Sequence, residues 1–318
     1  MQFSKKALAQ TLVETHLNEL GPFSTTVLSS GLSYSPIIKV HTPRKDYVVR
    51  FWDMESWAQY FPHDATCQQI ASEAGYGPKI HFLDRTYGIS IMDYFLPELL
   101  SQSPEKFKVL AQLIKKIQSG PPFPQTIDRW SHIDELIQEM DKHPCLDLKE
   151  ISKMYRTIRE TVSLTGKQVP SHRDLHHANL LYTQGRLFAI DYTWAGIDDS
   201  YVDLANVAVF NCINFEEENL LLELYLEQKP SEQEKARLSL MKQPIKIFYA
   251  LELLQLVSAH LSKESYMQIP SKSYRDLGHG DFSILTPTEL INYGMLFLNE
   301  VISYAQSSQY IEDMLKIK

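Results

Sequence analysis

The chain has 318 residues, 44% hydrophobic and 22% charged. That balance excludes a wholly disordered, collagenous or coiled-coil protein and gives enough chain for about two domains around sizeable cores. Lys and Arg total 31 against 39 Asp and Glu, so a net charge of −8 leaves no basic excess for a general nucleic-acid binder.

In chain order, Lys5 and Lys6 are followed by Glu14, His16 and Glu19 where a signal peptide would be apolar. Leu8, Leu12, Val13, Leu17 and Leu20 instead fall on one helical stripe that Gly21-Pro22 stops. Thr25–Ser29, Ile37–His41 and Tyr47–Trp52 are short runs rich in β-branched and aromatic residues, with turn signals at Gly31–Pro36 and Thr42–Asp46. They predict an antiparallel three-strand meander. A helix is expected over Asp64–Ala74, closed by Gly75, Gly77 and Pro78, then strands at Lys79–Leu83 and Ile89–Asp93. After Tyr94 the pattern turns helical. Ser103-Pro104 starts a helix with the stripe Phe107, Leu110, Ala111, Ile114 and Ile117, ended by Ser119-Gly120-Pro121-Pro122. Further helices are expected over Asp147–Thr165, from the Asn214 cap with Glu216, Glu217 and Glu218 to Leu226, and over Ser231–Met241, Ile245–Leu261 and Thr288–Ala305.

The most apolar stretch, Ile245–Leu256, is broken by Lys246, Glu252 and Gln255, and no run reaches the ~18 uncharged residues of a membrane span. Cys67, Cys145 and Cys212 are odd in number, far apart and in no CxxC spacing, which argues against a disulfide framework and suits a reducing cytoplasm. A soluble, cytoplasmic protein is expected, with a β-rich lobe over residues 1–94, a helical lobe over 95–318, and a ligand cleft where they touch.

The stretch Ser171 to Asn206 carries the chemistry. His172-x-Asp174-x4-Asn179 precedes a hairpin, Leu180–Thr183 and Arg186–Ile190, turning at Gln184-Gly185. Its second strand delivers Asp191, and Asp203 follows at a helix start. Asp174 and Asn179 share a loop and Asp191 returns beside them. One amide and one carboxylate suit a hard cation such as Mg²⁺, leaving Asp174 to accept a proton from an attacking hydroxyl. Phosphoryl transfer needs such parts.

HxDxxxxN, the IDYTWAG strand and the YVDLA helix together resemble the aminoglycoside phosphotransferase and choline kinase family, small-molecule kinases with the protein-kinase-like fold. The resemblance is strongest from His172 to Ala205 and extends loosely from about Val27 to Val301. GYGPKIHFLD, IDYTWAG and NFEEENLLLELYLEQ lean toward the choline/ethanolamine kinase-like branch. It implies an α+β, bilobal fold with a small antiparallel β-rich N-lobe and a larger, mainly helical C-lobe. It also implies ATP and Mg²⁺, and a small, amine-bearing hydroxyl acceptor such as choline, ethanolamine or an aminoglycoside, which the acidic balance favours.

By the same resemblance, Asp174 is the base and Asn179 and Asp191 bind Mg²⁺. His172 braces the loop from behind, and Asp203 holds it through its backbone. Arg50 in YVVRFW takes the place of the basic residue on the nucleotide phosphates, where a guanidinium offers a bidentate contact. Gly31 and Ser33 in SSGLSYSP form the turn over those phosphates. ISIMDYF is the hinge, with Met92 at its back and the backbone of Asp93 to Phe95 meeting adenine. The chain departs from the family pattern in a single loop glycine, Tyr34 where Asn is common, Thr193 where an acid is common, and Gln118 where His is common. The acidic partner of Arg50 stays open among Asp64, the better-registered Thr66 position, and Glu73.

Other readings attach to particular residues. Tyr192, Trp194, Tyr249 and Tyr274 line either a cage for a cationic group or the core, and Glu252 adds a carboxylate. Ser271–Asp281 is a polar loop, a lid or plain surface. His172, Asp174, His176 and His177 form a compact zinc-like set that leaves Asn179 and Asp191 unexplained. The thin glycine loop and the open partner of Arg50 motivate a nucleotide-binding pseudokinase or scaffold. Only the eleven residues 192–202 separate Asp191 from Asp203, too few for the peptide-docking segment of a protein kinase.

Overall fold

The computed structural model describes residues 4–28, 36–55, 58–125, 128–262 and 286–317. Gly31, Ser33, Tyr34, Tyr274 and the 271–281 loop lie outside them. Helix α1 (Lys5–Leu17) is capped by Ser4, whose hydroxyl accepts from the Ala7 N–H at 3.3 Å. It ends before Gly21, because Asn18 takes a left-handed φ of 51°, a conformation asparagine tolerates. Leu20, placed on the buried stripe by its spacing, is therefore left exposed.

Strands β1 (Ser24–Leu28), β2 (Ile37–His41), β3 (Asp46–Phe51), β4 (Ile80–Asp84) and β5 (Ile89–Asp93) form one antiparallel sheet in the order β1-β2-β3-β5-β4. Helix α2 (Phe61–Ala74) links β3 to β4, starting a turn earlier than expected with Pro62 in its first turn and stopping at Gly75, φ 74°. Ile38, Val40, Val49 and Ile91 pack with Ala9 and Val13 of α1 on one sheet face. Strand alternation and the pairings Val48↔Met92 and Arg50↔Ser90 then put Arg50 and Met92 together on the opposite face.

The C-lobe contains α3 (Lys106–Gln118), α4 (Arg129–Met140), α5 (Lys149–Ser163), α6 (Tyr201–Asn211), α7 (Phe215–Leu226), α8 (Glu232–Leu256), α9 (Pro287–Ala305) and α10 (Ser308–Ile317). Two ribbons accompany them, β6 (Gln168–Ser171) with β9 (Gly196–Asp199), and β7 (Leu180–Thr183) with β8 (Arg186–Ala189). The two helices expected over 231–261 are one. Pro244 lies inside α8 and removes an intrahelical bond, a cost of about 3 kcal/mol. Leu240, Met241, Ile245 and Ile247 are buried around it, and at about 1.5–3 kcal/mol each they outweigh that cost. No helix among the described residues is long and apolar enough to cross a membrane.

The crossing between lobes is stitched to the β7–β8 ribbon. Phe95 stacks on Phe188 at 4.5 Å, the Glu98 N–H donates to the Tyr182 carbonyl at 2.8 Å, and Glu98 Oε1 accepts from the Gln184 N–H at 2.8 Å.

Candidate active site

The β7–β8 ribbon turns at Gln184-Gly185 with φ of 49° and 73°, both positive as a tight two-residue hairpin turn requires. One step below its last pairing, Leu180↔Ala189, the Ile190 N–H donates to the Asn179 carbonyl at 3.0 Å. This register carries Asp191 back beside the loop of Asp174 to Asn179. Arg173 and Asp191 hold left-handed φ values of 67° and 63°, strained for non-glycine residues and located on either side of the site.

Asn179 Nδ2 donates to both the carbonyl and Oδ2 of Asp174, each at 2.9 Å. With its nitrogen thus committed, Asn179 has its oxygen end left for a ligand. The other carboxylate oxygen of Asp174 accepts the Tyr249 hydroxyl, and His176 Nε2 lies 3.7 Å from Oδ2. Asp191 accepts from the Thr193 hydroxyl at 2.8 Å, so the threonine at the position where an acid is common acts as a donor here. Burial pushes the Asp191 carboxyl up, but the Arg50 guanidinium and this hydroxyl outweigh it and hold the group below the usual range. An ionised carboxylate and an amide oxygen are hard donors, and this pair fits Mg²⁺.

Asp64, in the first turn of α2, is the acidic neighbour of Arg50, with Oδ2 at 3.4 Å from Nη1. The same carboxylate accepts the Trp52 indole N–H at 2.9 Å and the Tyr192 backbone N–H at 3.0 Å, while the Arg50 guanidinium lies 4.5 Å over the Trp52 ring. Burial pushes the Asp64 carboxyl up, with Arg50 opposing and Asp191 adding to the rise. The preceding residue, His63, bonds the Ala195 carbonyl through Nε2 at 2.8 Å. Two consecutive residues of α2 therefore hold both ends of the segment that follows Asp191. Sequence spacing could not choose Asp64, because the pairing joins a strand to a helix turn across a chain reversal.

Beneath the loop, His172 is buried, donates from Nε2 to the Ile190 carbonyl at 3.0 Å and lies 4.6 Å from the Tyr192 ring. Burial holds its imidazole down at about 4. Asp203, buried in α6, accepts the N–H groups of His172 at 3.0 Å and Arg173 at 2.7 Å, and burial raises its carboxyl to about 6. The Arg173 side chain runs to β9, where Nε pairs with Asp198 at 2.8 Å and Nη2 donates to the Ile197 carbonyl at 2.7 Å.

At the hinge, Met92 is buried on the Arg50 face. The Asp93 N–H is spent on the Lys79 carbonyl and the Tyr94 N–H on the Asp46 carbonyl. Of the three hinge residues expected to meet adenine, that leaves Phe95 as the N–H donor among the described residues. The Asp93 side chain faces Lys45 at 2.6 Å and His81 at 2.7 Å.

On the helical side, Trp194 packs against His132 at 4.8 Å and Phe248 at 5.2 Å, and His132 Nε2 bonds Glu252 at 2.6 Å. Phe248 in turn lies 5.1 Å from the Tyr249 ring, so Trp194 and Glu252 connect through Phe248 and His132 to the tyrosine that meets Asp174. Tyr192, one of the aromatics considered for a cation cage, is fully buried in the core and lines nothing. His132 was missed because α4 was missed. The signal was there, in the Asp128 cap and the stripe Ile133, Leu136, Ile137 and Met140. Among the described residues no three His, Cys, Asp or Glu side chains are grouped to hold a metal, so the zinc-like set does not form.

The phosphotransferase enzyme family model matches residues 24–236, about two thirds of the chain. A choline/ethanolamine kinase family protein from Mesorhizobium loti superposes with a TM-score of 0.74 at 14% identity, covering 99% of each chain. Choline kinase LicA from Streptococcus pneumoniae gives 0.66 at 16% identity, covering 94% of this chain and 99% of its own. The streptomycin–ATP–APH(2″)-IIa ternary complex gives 0.54 at 17% identity, covering 78% and 91%. No curated protein sequence matches. A five-stranded lobe on a helical lobe, shared with these kinases, defines a bilobal protein-kinase-like fold. The chain belongs to the phosphotransferase enzyme family, and it is a phosphotransferase.

Proposed function

We propose that the protein transfers the γ-phosphoryl group of ATP, with Mg²⁺, to a hydroxyl of a small, amine-bearing acceptor. The observation that carries this reading is the Asp174–Asn179 pair. One amide fixes the carboxylate at 2.9 Å and keeps its own oxygen for a cation, with Asp191 ionised beside it. Asp174 orients the acceptor hydroxyl and takes its proton as the oxygen attacks phosphorus. Arg50 on the sheet face of the cleft neutralises phosphate charge, with Gly31 and Ser33 expected to form the turn above it. Met92 and the Phe95 N–H border the adenine. Asn179 and Asp191 would hold the Mg²⁺, which supplies charge neutralisation on the phosphates. His172 and Asp203 hold the loop.

The amine-bearing acceptor rests on Glu252 and Trp194, which connect through His132 and Phe248 to the Tyr249 that meets Asp174, on the net charge of −8, and on structural neighbours named for choline, ethanolamine and streptomycin. Asp174→Asn tests the base. Phosphate-release and product assays across amino alcohols, sugars and aminoglycosides should show turnover by the wild type. They should show a loss of about 10³-fold or more in the variant, with nucleotide binding intact. Wild-type silence across the panel despite tight ATP binding would instead favour a pseudokinase, and undiminished turnover by the variant would remove Asp174 from the role.

A further inference from the structure

Helix α8 carries Tyr249 to the carboxylate that the proposed reaction uses. Its hydroxyl donates to Asp174 Oδ1 and lies 3.1 Å from Asn206 Oδ1. Its ring is wedged among Phe210 at 4.7 Å, Phe248 at 5.1 Å and Phe297 at 6.3 Å, so the hydroxyl has little freedom to leave. Asn179 already serves Oδ2, which means each oxygen of Asp174 has a fixed donor. The side chain is nevertheless 14% exposed, so water reaches its edge. A tyrosine on a wall that only surrounds a cation would show its ring face to the ligand. This one directs its polar end at the base.

We propose that Tyr249 is a positioning residue that locks Asp174 and weakens Oδ1 as a base toward unaligned water, so that phosphoryl transfer waits for the acceptor. The inference rests on Asp174 being the base and adds a role for its neighbour. The suppressed side reaction is hydrolysis. A water oxygen bonds to the γ-phosphorus, the bond from phosphorus to the bridging oxygen breaks, ADP leaves, and the proton of the water passes to Asp174. With the tyrosine hydroxyl in place, a rigid donor fixes the carboxylate and weakens Oδ1 as a base toward a loosely held water, whereas an acceptor bound through its other groups arrives with its hydroxyl aligned on a remaining lone pair.

The test is Tyr249→Phe, which keeps the ring and removes the donor. ADP release from MgATP with no acceptor present should rise about tenfold, the order expected when one hydrogen bond to a charged group is lost. The melting temperature should stay at the wild-type value, because a merely structural defect would lower it and slow every rate together. In the double variant Asp174→Asn/Tyr249→Phe the gain should vanish. Tyr225→Phe removes a hydroxyl bonded to Gln118 at 2.6 Å and should leave hydrolysis at the wild-type rate. Tyr249→Phe hydrolysing no faster than wild type, or a gain that persists without Asp174, overturns the proposal. Failure of the kinase reading shows separately, as a wild type that phosphorylates nothing in the acceptor panel.

Discussion

His172 gives the site its strongest pH signature. The unfolded imidazole takes a proton near 6.5 and the buried one only at about 4, so the folded state forgoes a proton that the unfolded state binds between those values. Stability that is complete above pH 6.5 is therefore lost as pH falls toward 4, by at most about 3 kcal/mol. Asp203 opposes it. Burial raises its carboxyl to about 6, and its protonation in the fold as pH falls through 6 returns part of that loss. Urea unfolding at pH 7 and 4.5 should show a clearly smaller drop for His172→Gln than for wild type; an equal drop would remove His172 as the cause. Asp64→Ala leaves the Arg50 guanidinium buried without its acid and cancels two further hydrogen bonds. A loss of about 3–5 kcal/mol is expected in chemical denaturation, and a loss below about 1 kcal/mol would mean that the pair is not structural.

Between elements, α8 and α9 approach closely at Gly294. A Cβ added at Gly294 would stand 2.6 Å from Leu254 Cγ and 3.0 Å from the Ala250 carbonyl. Gly294→Ala gains about 1 kcal/mol of helix propensity, but overpacking in a filled core costs about 1–3 kcal/mol, so net destabilisation of roughly 1 kcal/mol is expected from denaturant midpoints. Elements with strong local signals were legible in the sequence. The meander, the α7 start at Asn214 and the β7–β8 hairpin all follow from turn chemistry and caps. What escaped is set by distant packing. The α8 helix runs through Pro244 because its neighbours are buried, and the four-residue strands β6 and β9 exist only by pairing across residues 168–199. In the site, the motif gave Asp174, Asn179 and Asp191 as neighbours along the chain. The partnership of Asp64 with Arg50 and the hydroxyl of Tyr249 on Asp174 depend on which helix turn faces the loop.

For the whole molecule, α2 joins the two lobes, with Cys67 and Ala71 packed into the core of the C-lobe. Asp64 touches the sheet through Arg50 and Trp52 and the C-lobe through Tyr192, and His63 adds Ala195. A nucleotide bridging Arg50 and the Asn179–Asp191 pair would tighten both lobes at once. At a hundredfold excess over its dissociation constant, MgATP should stabilise the fold by about 2.7 kcal/mol, seen as a rise in melting temperature. Chelating the metal with EDTA should remove most of that rise, whereas an undiminished shift would argue that the cation takes no part in binding.

The contact of Arg173 with Asp198 bears on control. In signalling kinases the equivalent stretch of chain is ordered by an added phosphate that recruits an arginine. Here the arginine is already satisfied by a carboxylate encoded in the same stretch, with the Ile197 carbonyl beside it. An arginine held this way needs no added phosphate to fix the segment around Asp198.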